Sequence, residues 1–224
     1  MKPLVFILCG GKGERLRPLT KNSPKALIKI KGKAILDYII DYISGFKIEN
    51  FIIATGYKAN LIDAHINKNY PEKNIITSNA GSVDIIKRII KAKNLIKRDF
   101  ILLYGDTLSD VNINEMINFH NNKKGKVTMT LWPFKTQYGL VNVSSEGRVE
   151  SFLEKPDLDK WINIGYFYFD KEILNDIDKF NKFEDLLYDL VSKGELNGYK
   201  HDGAHITVNS IQELEIAEKN INQL

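Results

Sequence analysis

Apolar and polar positions in the first half of the chain follow two patterns, short apolar runs and stripes at helical spacing. Leu4–Cys9 is almost wholly apolar, as expected of a strand buried on both faces of a parallel sheet. Residues 34–43 place Ile35, Ile39 and Tyr42 on one helical face, and Asn50–Thr55 returns to an apolar strand that ends at Gly56. Residues 60–69 are again helical in spacing, with Leu61, Ala64 and His65 on one side, before Pro71 and a third strand over 74–77. Residues 82–91 carry a stripe of Ile85, Ile86, Ile89 and Ile90, and Phe100–Tyr104 is a strongly apolar strand running into Gly105 and Asp106. Asn112 and Glu115 form a capping pair for a helix through Met116, Ile117 and Phe119.

The second half reads differently. Residues 127–131, 139–143, 148–152 and 164–169 are short strands separated by turns. Asn181 with Glu184 predicts the cap of a helix over Phe183–Ser192, and Ser210 with Glu213 predicts the cap of a terminal helix reaching Ile221. Strand-helix alternation followed by a strand-rich stretch implies an α/β fold with an open, Rossmann-like mixed sheet. No repeat, long linker or low-complexity tract divides the chain, so one domain over residues 1–224 is expected.

Composition narrows the partners. With 43% hydrophobic and 27% charged residues over 224 positions, the chain can bury a core without metals or disulfides. The net charge of +4 is spread along the sequence, and the densest basic run, Lys123, Lys124 and Lys126, lacks interleaved aromatics, so nucleic acid is not an expected partner. Cys9 is the single cysteine and is read as a small buried hydrophobe, which excludes an intrachain disulfide. The apolar run at Leu4–Cys9 is too short for a signal segment or a membrane span, so a cytoplasmic protein without membrane partners is expected.

Three blocks can do chemistry. Residues 10–20 read GGKGERLRPLT, and Pro24 and Lys25 follow shortly after. A glycine loop leaving the carboxyl end of a buried strand sits where open sheets bind ligands, and Gly10, Gly11 and Gly13 let backbone amides approach phosphates. The loop is neither a Walker motif nor a dinucleotide fingerprint, because no Lys-Ser or Lys-Thr pair closes it and the third glycine is missing. Arg15 offers a planar fork of donors to a polyphosphate, and Lys25 a compact positive charge. Asp106, at the end of the most apolar strand, presents a hard oxygen to magnesium carried by phosphates. Glu154, Lys155 and Pro156, with Asn163 just beyond, supply a second phosphate-binding cation and an amide suited to hydroxyls.

In this order the blocks resemble the sugar-1-phosphate nucleotidyltransferases, over nearly the full chain. GGKGERLRPLT with SPKAL at 23–27, ATGYK at 54–58, LLYGDTLSDV at 102–111, YGLV at 138–141, FLEKP at 152–156, WINIG at 161–165 and YKHDG at 199–203 carry the likeness. YGDTLSDV, WINIG and YKHDG are most similar to the glucose-1-phosphate cytidylyltransferase branch. The resemblance implies a GT-A-like nucleotidyltransferase fold, with a nucleotide-binding half over about 1–125 and an acceptor-binding half over about 126–224. It also implies transfer from an NTP, CTP by the branch likeness, to a sugar 1-phosphate, with Mg2+ as cofactor and pyrophosphate released. Arg15 would grip the triphosphate, Lys25 neutralise the attacked phosphate, Asp106 bind Mg2+ and Lys155 hold the sugar phosphate. Glu154 and Asn163 would contact sugar hydroxyls, Gly139 would be closely approached, and Gly81 would read the base. By position Asn209 replaces the family's late metal-binding aspartate, and Glu14, Ile164 and the segment Asn79-Ala80-Gly81-Ser82 also depart from the pattern.

Two other readings stay open on the residues alone, transfer to a phosphorylated amino alcohol or polyol, and a nucleotide-binding or scaffold domain without turnover. A homo-oligomer is compatible with either. His201 and His205, with Asp202 between them, have a spacing that could hold a metal but bring no third strong ligand; His65 is expected to pack and His120 to close a helix.

Overall fold

The computed structural model describes residues 2–136 and 138–224. β1 (Leu4–Cys9) runs into the glycine loop and three short 3-10 turns, followed by β2 (Lys29–Ile30), β3 (Lys33–Ala34), α1 (Ile35–Gly45), β4 (Asn50–Thr55), α2 (Ala59–Asn69), β5 (Asn74–Asn79) and α3 (Ile85–Ala92). Next come β6 (Phe100–Tyr104), β7 (Thr107–Ser109), α4 (Ile113–Asn121), β8 (Val127–Lys135), β9 (Leu140–Val143), β10 (Val149–Leu153) and β11 (Asp157–Phe169). The chain ends with α5 (Phe183–Ser192), β12 (Leu196–Lys200), β13 (His205–Thr207) and α6 (Ile211–Asn220).

A seven-stranded sheet in the order β12-β8-β11-β6-β1-β4-β5 forms the spine. β6, β1, β4 and β5 are parallel, while β11 lies antiparallel to both β6 and β8, which makes the sheet mixed as expected. Because β6 and β11 are hydrogen-bonded neighbours, the two halves of the sequence share one sheet.

Alternation along β1 divides the core. Val5, Ile7 and Cys9 face one apolar cluster with α1, α2 and α4, whereas Leu4 and Phe6 face another with α3 and α5. In the second cluster Phe100 stacks on Phe169 at 5.0 Å, and Phe6 meets Phe100 edge-on at 6.3 Å. Each ring or branched side chain buried this way contributes about 1.5–3 kcal/mol, enough to hold the strand ends in place.

Several local expectations are corrected. The helix predicted from residue 82 starts only at Ile85, because the Asp84 side chain accepts from the Ile86 amide and caps it. α5 is entered through Lys182, whose amide donates to Asp185, not through Asn181 and Glu184. α2 buries Ala59, Ile62 and Ile66, leaving Ala64 exposed, because the two isoleucines, at i+3 and i+7 from Ala59, take the face toward the sheet. β8 and β11 run well beyond the predicted strands, and β7, β12 and β13 were not legible, being short and mixed in polarity.

Candidate active site

The parallel strands deliver the glycine loop and Asp106 to the same edge of the sheet. Gly105 lets β6 finish beside β1: its amide donates to Leu8 O at 3.1 Å, and a Cβ there would lie 2.5 Å from that oxygen. Gly13 adopts φ 61 ahead of the turn Glu14–Leu16, and Thr20 Oγ1 donates to its carbonyl at 2.7 Å. Leu16 is wholly buried, so the turn is anchored while Arg15 points outward, with no ion pair among the described residues.

Asn209 reaches this edge from the far end of the chain. The antiparallel pair β7–β13 brings Val208 N to Asp106 O at 3.1 Å. Ser210 caps α6 as predicted, and Glu213 reaches back to accept from the Asn209 amide at 2.7 Å, fixing that residue.

The centre is a three-residue contact. Lys25 Nζ donates to Asp106 Oδ2 at 2.5 Å and to Asn209 Oδ1 at 2.7 Å, with the lysine side chain only 13% exposed. An open cleft of about 610 Å³ lies over it, lined by Gly11, Gly13, Arg15, Lys25, Asp106 and Asn209, with Ser82 closing it from the α3 side. One carboxylate and one amide oxygen converging on a single positive charge are hard donors of the kind Mg2+ takes, a small set that leaves room for water and phosphate. Among the described residues there is no group of three or more His, Cys, Asp or Glu that could cage a metal alone.

Gly10 and Gly81 stand beside the cleft. Gly81 adopts φ 72, and its amide donates to Asn79 Oδ1 at 2.9 Å. Cys9 is buried beneath the loop, where burial first and the Asp106 charge second push its thiol well above its ordinary range, so it is no nucleophile near neutral pH.

The other predicted residues lie outside this cleft. Gly139 and Glu154 meet at the base of the β9–β10 hairpin, where a Cβ on Gly139 would lie 2.7 Å from the Phe152 ring and 3.0 Å from Glu154 Oε2. Lys155 is exposed at φ 44, a left-handed conformation unusual for lysine. Asn163 lies on β11, where its Oδ1 accepts from Gly165 N at 2.8 Å. Gly165 in turn abuts the Tyr104 ring, two residues before Asp106. These four residues do not line the 610 Å³ cleft.

Outside the cleft, three of the four histidines have polar partners: His65 Nε2 meets Asp37 Oδ1 at 2.6 Å, His120 bridges Thr128 and Asp170, and His201 Nε2 meets Asp110 Oδ1 at 2.9 Å, whereas His205 Nε2 is buried without a hydrogen-bond partner among the described residues. The residue that sequence reading passed over is Arg88. It is 6% exposed and hydrogen-bonded to three backbone carbonyls at the sheet edge. Its signal was present, since an arginine interrupts the isoleucine stripe on the buried face of α3.

Comparison with known proteins bears on the family and the fold. Residues 4–206 match the family described as nucleotidyl transferase. A Bacillus subtilis (strain 168) protein described as "Probable glucose-1-phosphate cytidylyltransferase" is 30% identical over 243 residues, covering 97% of this chain and 95% of that one. The bifunctional protein GlmU of Methanococcus maripaludis (strain C5) is 29% identical over 89% of this chain, which spans about half (51%) of that relative's length. Among solved structures, HddC from Yersinia pseudotuberculosis superposes with a TM-score of 0.77 at 22% identity, covering 98% of this chain and 100% of that one, and so shares the fold. By the extent of the family match and the near full-length relative, the chain belongs to the nucleotidyl transferase family.

Proposed function

We propose that the chain transfers the nucleotidyl group of an NTP, with CTP as the preferred donor, to a sugar 1-phosphate, releasing pyrophosphate. The observation that carries this reading is the Lys25 ammonium shared between Asp106 and Asn209 beneath a glycine loop and Arg15. The choice of sugar 1-phosphate and of cytosine is supported by the description of the Bacillus subtilis relative and by the YGDTLSDV, WINIG and YKHDG blocks.

In this reading the loop amides and Arg15 hold the triphosphate, and Lys25 moves from Asp106 and Asn209 to the phosphate under attack. Asp106 and Asn209 would then hold Mg2+, which when bound offsets charge on the phosphate oxygens. An acceptor phosphate oxygen forms a bond to the α-phosphorus as the bond to the bridging oxygen breaks, and pyrophosphate departs with that electron pair. No general base is needed, since a phosphate monoester with a second pKa of about 6 is already largely ionised near neutral pH. Lys155, Glu154, Asn163 and Gly139 receive the acceptor, Gly10, Gly11, Gly13 and Gly81 the nucleotide, and the two halves meet at about residue 125.

The test is pyrophosphate release with CTP, UTP, GTP and dTTP, each against sugar 1-phosphates, polyol phosphates and amino alcohol phosphates. Release with CTP and a sugar 1-phosphate is expected. Preference for another base removes the cytidylyl assignment, release only with a non-sugar phosphate replaces the acceptor, and no release with any pair overturns the reading.

A further inference from the structure

Three neighbouring parallel strands send their carboxyl ends to one side chain. Arg88 donates to Thr55 O at the end of β4 at 2.7 Å, to Gly81 O after β5 at 2.9 Å and to Gly10 O after β1 at 3.3 Å. The knot admits no larger residues. A Cβ on Gly10 would lie 1.7 Å from Arg88 Nη1, and one on Gly56 would lie 2.4 Å from Gly81 O and 2.9 Å from both Nη1 and Gly10 O.

Peptide geometry turns this into a statement about the cleft. In a trans peptide the C=O of one residue and the N–H of the next point in opposite directions. With the Gly10 and Gly81 carbonyls drawn to the guanidinium, the Gly11 and Ser82 amides face away from it. Both residues line the cleft, and neither amide meets an acceptor among the described residues. Arg88 itself has no ion-paired carboxylate within contact distance among the described residues, so its buried positive charge under the cleft floor is met by the three carbonyls and, at longer range, by the Asp84 carboxylate.

We infer that Arg88 is a positioning residue for the donor: it aims the Gly11 and Ser82 amides at the triphosphate by holding the preceding carbonyls. The inference rests on the reading of the cleft as the triphosphate site. A lysine at this position carries the charge but cannot spread donors over three carbonyls, so the Gly81–Ser82 peptide would be free to turn and the Gly10–Gly11 peptide would be held by the Tyr57 amide alone, at 3.3 Å.

The probe is inorganic tripolyphosphate, followed by amide NMR on labelled protein. In the wild type, the Gly11 and Ser82 signals should shift together and saturate. Arg88→Lys should keep its circular dichroism spectrum, bind tripolyphosphate about 10- to 100-fold more weakly through loss of charge-assisted hydrogen bonds, and leave the acceptor KM unchanged. A merely structural role would lower the unfolding midpoint without changing affinity, and a folded Arg88→Lys with wild-type affinity overturns the inference. So does a wild-type titration that moves Lys12 and Arg15 but not Gly11 and Ser82, or one with no binding, and this measurement decides even if the variant does not fold. Binding through Gly11 and Ser82 without pyrophosphate release from any substrate pair sinks the proposed reaction and leaves the role of Arg88 standing.

Discussion

Around the glycine loop, backbone and side chains are held from several directions, whereas the β9–β10 hairpin carries its polar residues on a two-stranded arm. Leu16, Pro24 and Ala26 are buried beneath the loop, and Lys25 is gripped by two side-chain oxygens. On the hairpin, Phe152 and Val149 are 61% and 60% exposed, and a two-stranded ribbon has little stability of its own. Rigidity is concentrated at the glycine loop. The groups proposed for the polyphosphate are pre-aimed by the sheet, while Gly139, Glu154 and Lys155, proposed for the acceptor, flank an arm that contributes little to the core and only Asn163 among them sits on the central sheet, in β11.

The largest test of this contrast is thermodynamic. Phe6→Ala should destabilise the protein by about 3–5 kcal/mol in a denaturant titration, because it opens a cavity in the aromatic cluster. Phe152→Ser should stay within about 0.5 kcal/mol of the wild type. Equal losses would mean the hairpin is part of the core after all.

The two lysines sharpen the same contrast in kinetics. Lys25→Ala should lower kcat by about 10²–10³-fold, as expected for a group that meets charge developing at the attacked phosphate. Lys155→Ala should instead raise the acceptor KM by about 10-fold with kcat nearly unchanged, the signature of uniform binding. Steady-state rates with each substrate varied will separate them, and a shift confined to the NTP in Lys155→Ala would move that residue to the donor side.

The smallest effect concerns the β7–β13 pair beside the cleft. Burial, reinforced by the neighbouring His201, holds the His205 imidazole below its ordinary value of 6.5, and its ring packs 5.1 Å from Trp132. Below that value the unfolded chain binds the proton more readily than the folded one. The stability contributed by neutral His205 is therefore present above 6.5 and lost as pH falls toward the depressed folded value. The unfolding midpoint should drop between about pH 7.5 and about pH 5.5, and His205→Gln should flatten that slope. Parallel slopes in the two proteins would show that His205 does not report on this region.

Leu4–Cys9, Asn50–Thr55 and Phe100–Tyr104 were legible to the residue, because strands buried on both faces must be continuously apolar. The caps at Asn112 and Ser210 were legible for a similar reason, since capping is settled within four residues of chain. β12 and β13 were not, because their short, mixed sequences acquire meaning only from β8 and β7 across the sheet. The glycines and Arg15 of GGKGERLRPLT, the lysine of SPKAL and an aspartate at a strand end were enough to nominate Arg15, Lys25 and Asp106, and with the later blocks they carried the family resemblance.

Sequence alone thus determined the α/β class, the apolar strands and the chemical character of the cleft, all of which depend on residue type and near neighbours. Long-range folding places Lys25 between Asp106 and Asn209, 81 and 184 residues away, and ties three strand ends together through Arg88. Those contacts follow from strand order and register, which balance burial and hydrogen bonding over the whole chain; a local stretch can mark Arg88 as out of place in its stripe but cannot name its partners.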